Sequence, residues 1–236
     1  MICHHYACVF VHVPKTAGIS IEHVFLDLLG LTWETRAPLL LRANDRPELG
    51  PPRLAHLKAA DYVRYHYLTQ EMFDRYFKFA FVRNPWSRLV SLYKYRAYNW
   101  RCDFKTFVNG PLQSRLWHEQ DWFVCPQSEF LYSADNRLLV DFVGRYETLQ
   151  RDFDAVCGHL GLAATPLSHF NTSRGNTQVA LPGSGLKRTL GNLKRAWRTR
   201  NIPSYTTYQE YYDSETIAEV ARLYQRDIEL LGYSFE

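Results

Sequence analysis

The segment Val9-Phe10-Val11-His12-Val13-Pro14-Lys15-Thr16-Ala17-Gly18-Ile19-Ser20 constrains the fold more than any other part of this 236-residue chain. From Ala7 to Val13 the residues form a short apolar run rich in β-branched side chains, which predicts a buried strand. Beyond the Pro-Lys-Thr-Ala-Gly turn the apolar positions switch to helical spacing, at Ile19, Ile21, Val24, Phe25, Leu28 and Leu29, and stop near Gly30. A strand that turns sharply into a helix is the building unit of a layered α/β fold.

The same succession recurs. Phe77 to Val82 reads as a second buried strand, and Asn84-Pro85 follows it at once. Asn is a favoured N-cap and Pro a favoured first helical residue, so a helix is expected from Pro85 to about Tyr98, with Leu89, Val90, Leu92 and Tyr93 on its apolar face. Leu138 to Val143 is a third strand candidate, before a helix from about Thr148 to Leu160 that Gly161 ends. A last helix is expected from Ser214 to Leu231, capped by Asp213 or Ser214 and stopped by Gly232. Residues 32–54, with Pro38, Pro47, Pro51 and Pro52, read as a surface excursion, and 172–204 as a second loop excursion. This alternation predicts an α/β fold with a central, mainly parallel sheet flanked by helices, in a single domain over 1–236. Such folds bind ligands outside the carboxyl ends of their strands. Lys15 and Arg83 both fall there.

Two strand–helix junctions carry the chemistry. A helix N-terminus presents free N–H groups and a partial positive charge, which suits an anion. At the first junction Lys15 adds a full charge, Thr16 and Ser20 add hydroxyls, and Gly18 lets the backbone approach a ligand closely. Nowhere does the chain contain G-x-x-x-x-G-K-[ST], and Lys15 precedes its glycine, so this is not a standard nucleoside-triphosphate loop. At the second junction, Phe81-Val82-Arg83-Asn84-Pro85-Trp86-Ser87-Arg88-Leu89-Val90-Ser91-Leu92-Tyr93, Ser87 and Ser91 share a helix face. They are expected to converge with Arg83, whose fork suits a phosphate group.

Together these segments resemble the nucleotide-binding segments of PAPS-dependent sulfotransferases, PAPS being 3′-phosphoadenosine 5′-phosphosulfate, and most closely those of the carbohydrate sulfotransferase branch. The likeness extends to Asp141-Phe142-Val143-Gly144-Arg145-Tyr146-Glu147-Thr148-Leu149, to His169-Phe170-Asn171-x-Ser173 and to Tyr211-Tyr212-Asp213. It implies a sulfotransferase fold like that of the P-loop NTPases. It also implies that Pro14, Lys15, Thr16, Ala17, Gly18, Ile19 and Ser20 hold the 5′-phosphosulfate, with Lys15 beside the oxygen between phosphorus and sulfur. Arg83 and Ser91 would bind the 3′-phosphate, and Arg145, Lys187 and Arg188 would complete the nucleotide pocket. The branch often places a histidine between its two binding segments, and His56 is the candidate base there, with His66 and His12 as fallbacks. A neutral imidazole is suited to taking a hydroxyl proton.

Composition narrows the alternatives. A formal charge of +4 suits an anionic ligand and is too small for a nucleic-acid binder. No apolar run reaches the length of a membrane span, and no signal peptide opens the chain, so a cytoplasmic location is expected. Five cysteines, never in C-x-x-C, fit a reducing compartment rather than a disulfide framework. The Cys3-His4-His5 and Cys8 cluster matches no zinc spacing, and no metal is expected. The acceptor implied by the resemblance is a hydroxyl on a carbohydrate or glycoconjugate. Trp100, Trp117 and Trp122 are candidates for stacking on sugars as well as for the core. Two other readings stand beside this one: a kinase of related architecture, and a non-enzymatic polyanion-binding module built on Lys187–Arg200, which holds six basic residues and no acid.

Overall fold

The computed structural model describes residues 1–119, 121–168 and 202–236. Among these residues a four-stranded sheet runs in the order β1 (Ile2–Cys3), β2 (Cys8–Val11), β3 (Phe77–Val82), β4 (Phe142–Arg145). β2 pairs parallel with β3, Val11 opposite Ala80, and β3 pairs parallel with β4, Val82 opposite Arg145. The short β1, not anticipated from the sequence, pairs antiparallel with β2, so the sheet is mixed. The fold is α/β with flanking helices.

Alternation along the strands builds both faces. Phe10, Phe79 and Phe81 pack against the helices Gly18–Leu28 and Leu149–His159 through Phe25, Val24, Phe153 and Val156. Val9, Val11, Ala80 and Val82 face the other way, onto Leu57, Tyr62 and Phe130. A third cluster joins the Pro85–Tyr95 helix to Phe104–Trp117 and to the C-terminal helices through Trp86, Tyr93, Phe107 and Tyr224. Asn84 caps the Pro85–Tyr95 helix, its side chain accepting from the N–H groups of Trp86 and Ser87 at 3.1 and 3.4 Å.

Several boundaries differ from the sequence reading. The third strand begins at Phe142, because Leu138 and Leu139 instead bond back to Tyr132 and Leu131, and Leu138 is left exposed. The last helix is two, Ser214–Leu223 and Gln225–Leu231, divided at Tyr224, whose buried ring sends its hydroxyl to the Val124 carbonyl at 2.8 Å. The Pro85 helix stops at Tyr95, two residues before Ala97 turns left-handed. Phe104–Trp117 has no clear periodicity, yet it is helical: one α turn continues into a wide π-type helix around Pro111. Most of the 172–204 excursion lies outside the described residues.

Gly144 sits directly opposite Phe81, and a Cβ there would lie 2.4 Å from the Phe81 ring. Overpacking of this kind costs about 1–3 kcal/mol. Gly144→Ala is therefore expected to lower the urea unfolding midpoint by that equivalent without changing the slope of the transition.

Candidate functional site

The parallel pairing of β2 with β3 sets two strand ends side by side, and a cavity of about 510 Å³ lies beyond them. That is within the ~300–1,000 Å³ of small-ligand sites. The loop after β2 supplies Pro14, Lys15, Ala17, Gly18, Ile19 and Ser20 to its wall. The junction after β3 supplies Arg83 and Ser91, and the Leu54–His56 turn supplies His56.

The loop holds an uncommon backbone shape. Lys15 and Ala17 both have positive φ, 73° and 70°, a conformation that costs a non-glycine residue of the order of 1–3 kcal/mol and clusters at functional sites. Three donors hold it there. Thr16 Oγ1 donates to the Val13 carbonyl at 2.9 Å, Arg88 Nε to that of Pro14 at 2.9 Å, and Arg83 Nη1 to that of Lys15 at 3.5 Å. Thr16 is thus fully buried and spends its hydroxyl on the loop itself; it does not line the cavity. Ala17 is the N-cap of the Gly18–Leu28 helix, and no side chain caps that helix. Gly18 lines the cavity, and its missing Cβ also makes room for the His12 ring, which a Cβ would meet at 2.2 Å.

Lys15 Nζ lies 4.0 Å from the centre of the Tyr95 ring. Burial first, then the charges of Arg83 and Arg88, pulls its pKa down to about 8. Arg83 is fixed from both sides: Nε donates to Ser87 Oγ at 2.9 Å and the guanidinium lies 3.9 Å from the Tyr146 ring centre. Its backbone exchanges two bonds with the Gln127 side chain, at 2.8 and 2.7 Å, and buried Asp227 accepts from the Gln127 and Ser128 N–H groups. Ser87 therefore serves Arg83, whereas Ser91 meets the cavity.

Two histidines share the cavity wall. His56 Nδ1 lies 2.9 Å from the His12 carbonyl, which only accepts, so Nδ1 carries the proton and Nε2 the lone pair. Burial, then the neighbouring His12, holds the His56 pKa well below the usual imidazole value. His12 in turn bonds through Nδ1 to buried Glu22 at 2.6 Å, and the two imidazole centroids are 4.4 Å apart. His66 is exposed and away from the cavity.

Other expected members lie elsewhere. Arg145 is outside the cavity: its Nη2 donates to the Leu231 carbonyl at 2.6 Å and its guanidinium covers Tyr233. Lys187, Arg188 and His169–Ser173 lie outside the described residues. The 32–54 excursion is more than surface, since Trp33, Arg36, Arg42 and Arg53 line the cavity and Leu39, Leu41 and Leu54 are buried. Trp122 lies against His56 with centroids 4.6 Å apart, and Trp117 packs edge-on to Tyr224. Among the described residues no group of three or more His, Cys, Asp or Glu is placed to hold a metal ion, and no helix is long and apolar enough to cross a membrane.

A profile of the sulfotransferase family matches residues 1–234. The chain belongs to that family. A similar protein is an uncharacterised one from Archaeoglobus fulgidus, 32% identical over 97 residues, which cover 39% of this chain and 74% of the archaeal one. No solved structure matches the chain significantly. Membership carries with it a sulfuryl-transfer function and the use of PAPS as donor.

Arg88, part of the motif but given no role in the sequence reading, is the residue that joins these parts. It is buried, and besides Pro14 its guanidinium donates to the carbonyls of Cys125 and Phe123, both at 3.0 Å. Orphaning a buried acceptor costs about 1–3 kcal/mol. Arg88→Met is expected to destabilise the protein by at least that much in urea unfolding, and to weaken binding of 3′-phosphoadenosine 5′-phosphate (PAP) in calorimetry.

Proposed function

We propose that this sulfotransferase moves the sulfuryl group of PAPS to a hydroxyl of a carbohydrate, with Lys15, Arg83, Ser91 and His56 as the working residues. The observation that carries the reading is the shared cavity: an uncapped helix N-terminus with Lys15, the Arg83 and Ser91 pair, and a neutral imidazole line one space. The fit to PAPS is chemical as well as spatial. The donor set is cationic and rich in N–H, and the one carboxylate among the described lining residues, Glu22, is engaged by His12. The sheet and its uncapped loop also support kinship with the P-loop NTPase fold.

When bound, PAPS supplies an activated sulfuryl group whose bridging oxygen leaves on a phosphate. His56 Nε2 takes the proton of the acceptor hydroxyl as that oxygen bonds to sulfur. The bond from sulfur to the bridging oxygen breaks, and its electron pair stays on that oxygen. Lys15 and the loop N–H groups stabilise the negative charge gathering there. Arg83 and Ser91 hold the 3′-phosphate and fix the register of the nucleotide. A carbohydrate acceptor rests on the likeness of the binding segments to the carbohydrate branch; Trp33, on the cavity wall, is stacked by His23 and covered by the Arg36 guanidinium.

Incubation with labelled PAPS and a panel of carbohydrate acceptors tests the proposal. Transfer is expected for the wild type, with a loss of about 10²–10³ in rate for Lys15→Ala, the usual effect of losing one donor to developing charge. His56→Ala should lose about 10²–10⁴, the usual range for a general base. PAP should bind tightly and ATP weakly. No transfer, together with no PAP binding, would sink the reading. The Lys15 value adds a pH signature: its cation is complete below pH 8 and lost above it, so PAP affinity should fall as pH rises through about 8. Lys15→Ala should flatten that fall.

A further inference from the structure

The Cys3-His4-His5 stretch and Cys8 take no part in the reaction outlined above, yet the fold brings the two cysteines together. Cys3 ends β1, Cys8 begins β2, and the antiparallel register sets them directly opposite each other. Opposite residues of such a pair share one face of the sheet, with Cα atoms about 4.5–5.5 Å apart. That falls inside the window of about 4.4–6.8 Å that a disulfide spans. Both side chains enter the same buried cluster, with Phe10 and Phe25, and the Cys8 thiol donates a hydrogen bond to the Cys3 sulfur. The other cysteines lie elsewhere: Cys102 and Cys125 are partly buried, and Cys157 is on the Leu149–His159 helix.

The two thiols are not equivalent. The turn from His4 to Ala7 closes over Cys3, and the backbone N–H groups of Tyr6 and His5 bond to its sulfur. That turn is pinned. His4 Nδ1 meets the Tyr76 hydroxyl at 2.7 Å, and the Ala7 carbonyl accepts from the Phe77 N–H at 3.0 Å. The bond from Cys8 and, against the opposing effect of burial, the two backbone N–H groups hold the Cys3 pKa below the usual thiol value. The same contact, then burial, drives the Cys8 pKa up. Cys3 is thus the sulfur that gives up its proton. His4, His5 and Ala7 are exposed, so a single turn separates it from solvent.

We propose that Cys3 and Cys8 are a peroxide-reactive thiol pair, Cys3 attacking and Cys8 resolving, which closes into a reversible disulfide between β1 and β2. The oxidant is hydrogen peroxide, small enough to reach Cys3 when the turn opens locally. The Cys3 sulfur bonds to one peroxide oxygen and the O–O bond breaks. The other oxygen leaves as hydroxide, takes the proton that Cys3 gave up and becomes water, and Cys3 is left as a sulfenic acid. The Cys8 sulfur then bonds to the Cys3 sulfur, the S–O bond breaks, and the hydroxyl departs as water with the Cys8 proton. Two thiols and one peroxide become one disulfide and two waters. A dithiol reductant reverses the bond by exchange. The pair stands at the start of β2 and the cavity beyond its far end, so this chemistry does not depend on the PAPS reading.

Peptide mapping by mass spectrometry tests the pair. The reduced, folded protein is treated with an equal amount of hydrogen peroxide, cleared of peroxide with catalase, unfolded, alkylated and digested with trypsin. The peptide 1–15 is expected to lose two hydrogens and to take no alkyl group, while Cys102, Cys125 and Cys157 are alkylated. Dithiothreitol before alkylation should restore both thiols. In Cys8→Ser the reaction should stop at a Cys3 sulfenic acid, which dimedone traps, and in Cys3→Ser Cys8 should stay alkylatable. Cys3 and Cys8 both taking alkyl groups after peroxide overturns the proposal. A Cys8 sulfenic acid in Cys3→Ser, formed as fast as that of Cys3 in Cys8→Ser, overturns the division of roles. If a variant does not fold, the wild-type peptide alone decides whether the pair closes.

Discussion

The guanidinium of Arg88 is the interaction on which the site depends. From one turn of the Pro85–Tyr95 helix it reaches the carbonyls of Pro14, Phe123 and Cys125, in two segments remote in sequence. Parallel pairing of β2 with β3 brings the two strand ends together, but pairing alone would let the loop after β2 relax. Lys15 and Ala17 sit in left-handed conformations that an ordinary turn would abandon. Arg88, Thr16 and Arg83 each hold one of the loop's successive carbonyls, and together they offset that strain.

A second support runs from the C-terminal helices. Asp227, fully buried, accepts from the N–H groups of Gln127 and Ser128, and Gln127 then clasps the backbone of Arg83 on both its donor and its acceptor. Asn84 ties the same junction to the Ser234 carbonyl. The Arg83 guanidinium is thus carried on a backbone fixed by residues more than forty positions away. Such remote support is how an α/β site gains the accuracy that transfer chemistry needs.

What the sequence disclosed and what it hid divide along a physical line. The β2 loop and the Arg83 junction were legible, because a short buried strand gives way to a helical pattern at each and leaves Lys15 and Arg83 at strand ends. Their neighbours were not. Glu22 lies on the helix and His12 just past the preceding strand, and only the turn geometry folds one onto the other. Arg88 carried no role in the sequence reading, because spacing says nothing about which donors meet carbonyls instead of solvent. Residues 32–54 read as surface because their apolar positions follow no period, although Asn44 stitches the segment with bonds to the carbonyls of Arg46, Gly50 and Pro51. Arg145 ended a strand as Arg83 does, yet Leu231 claims its side chain.

The contact between the His12 ring and the bare Cα of Gly18 has a consequence for how this protein can vary. The glycine is not needed for a positive φ, which falls on Lys15 and Ala17 instead. It is there because an imidazole fills the space of its absent side chain. Positions 12 and 18 are thus one unit of inheritance: a smaller residue at 12 would open a hole that alanine or serine at 18 fills, while either change alone leaves a void or a collision. Glu22, bonded to the same ring, would be released from its role by the first of these changes, and would then be a buried charge without a partner. A viable drift away from this arrangement must therefore alter three positions together.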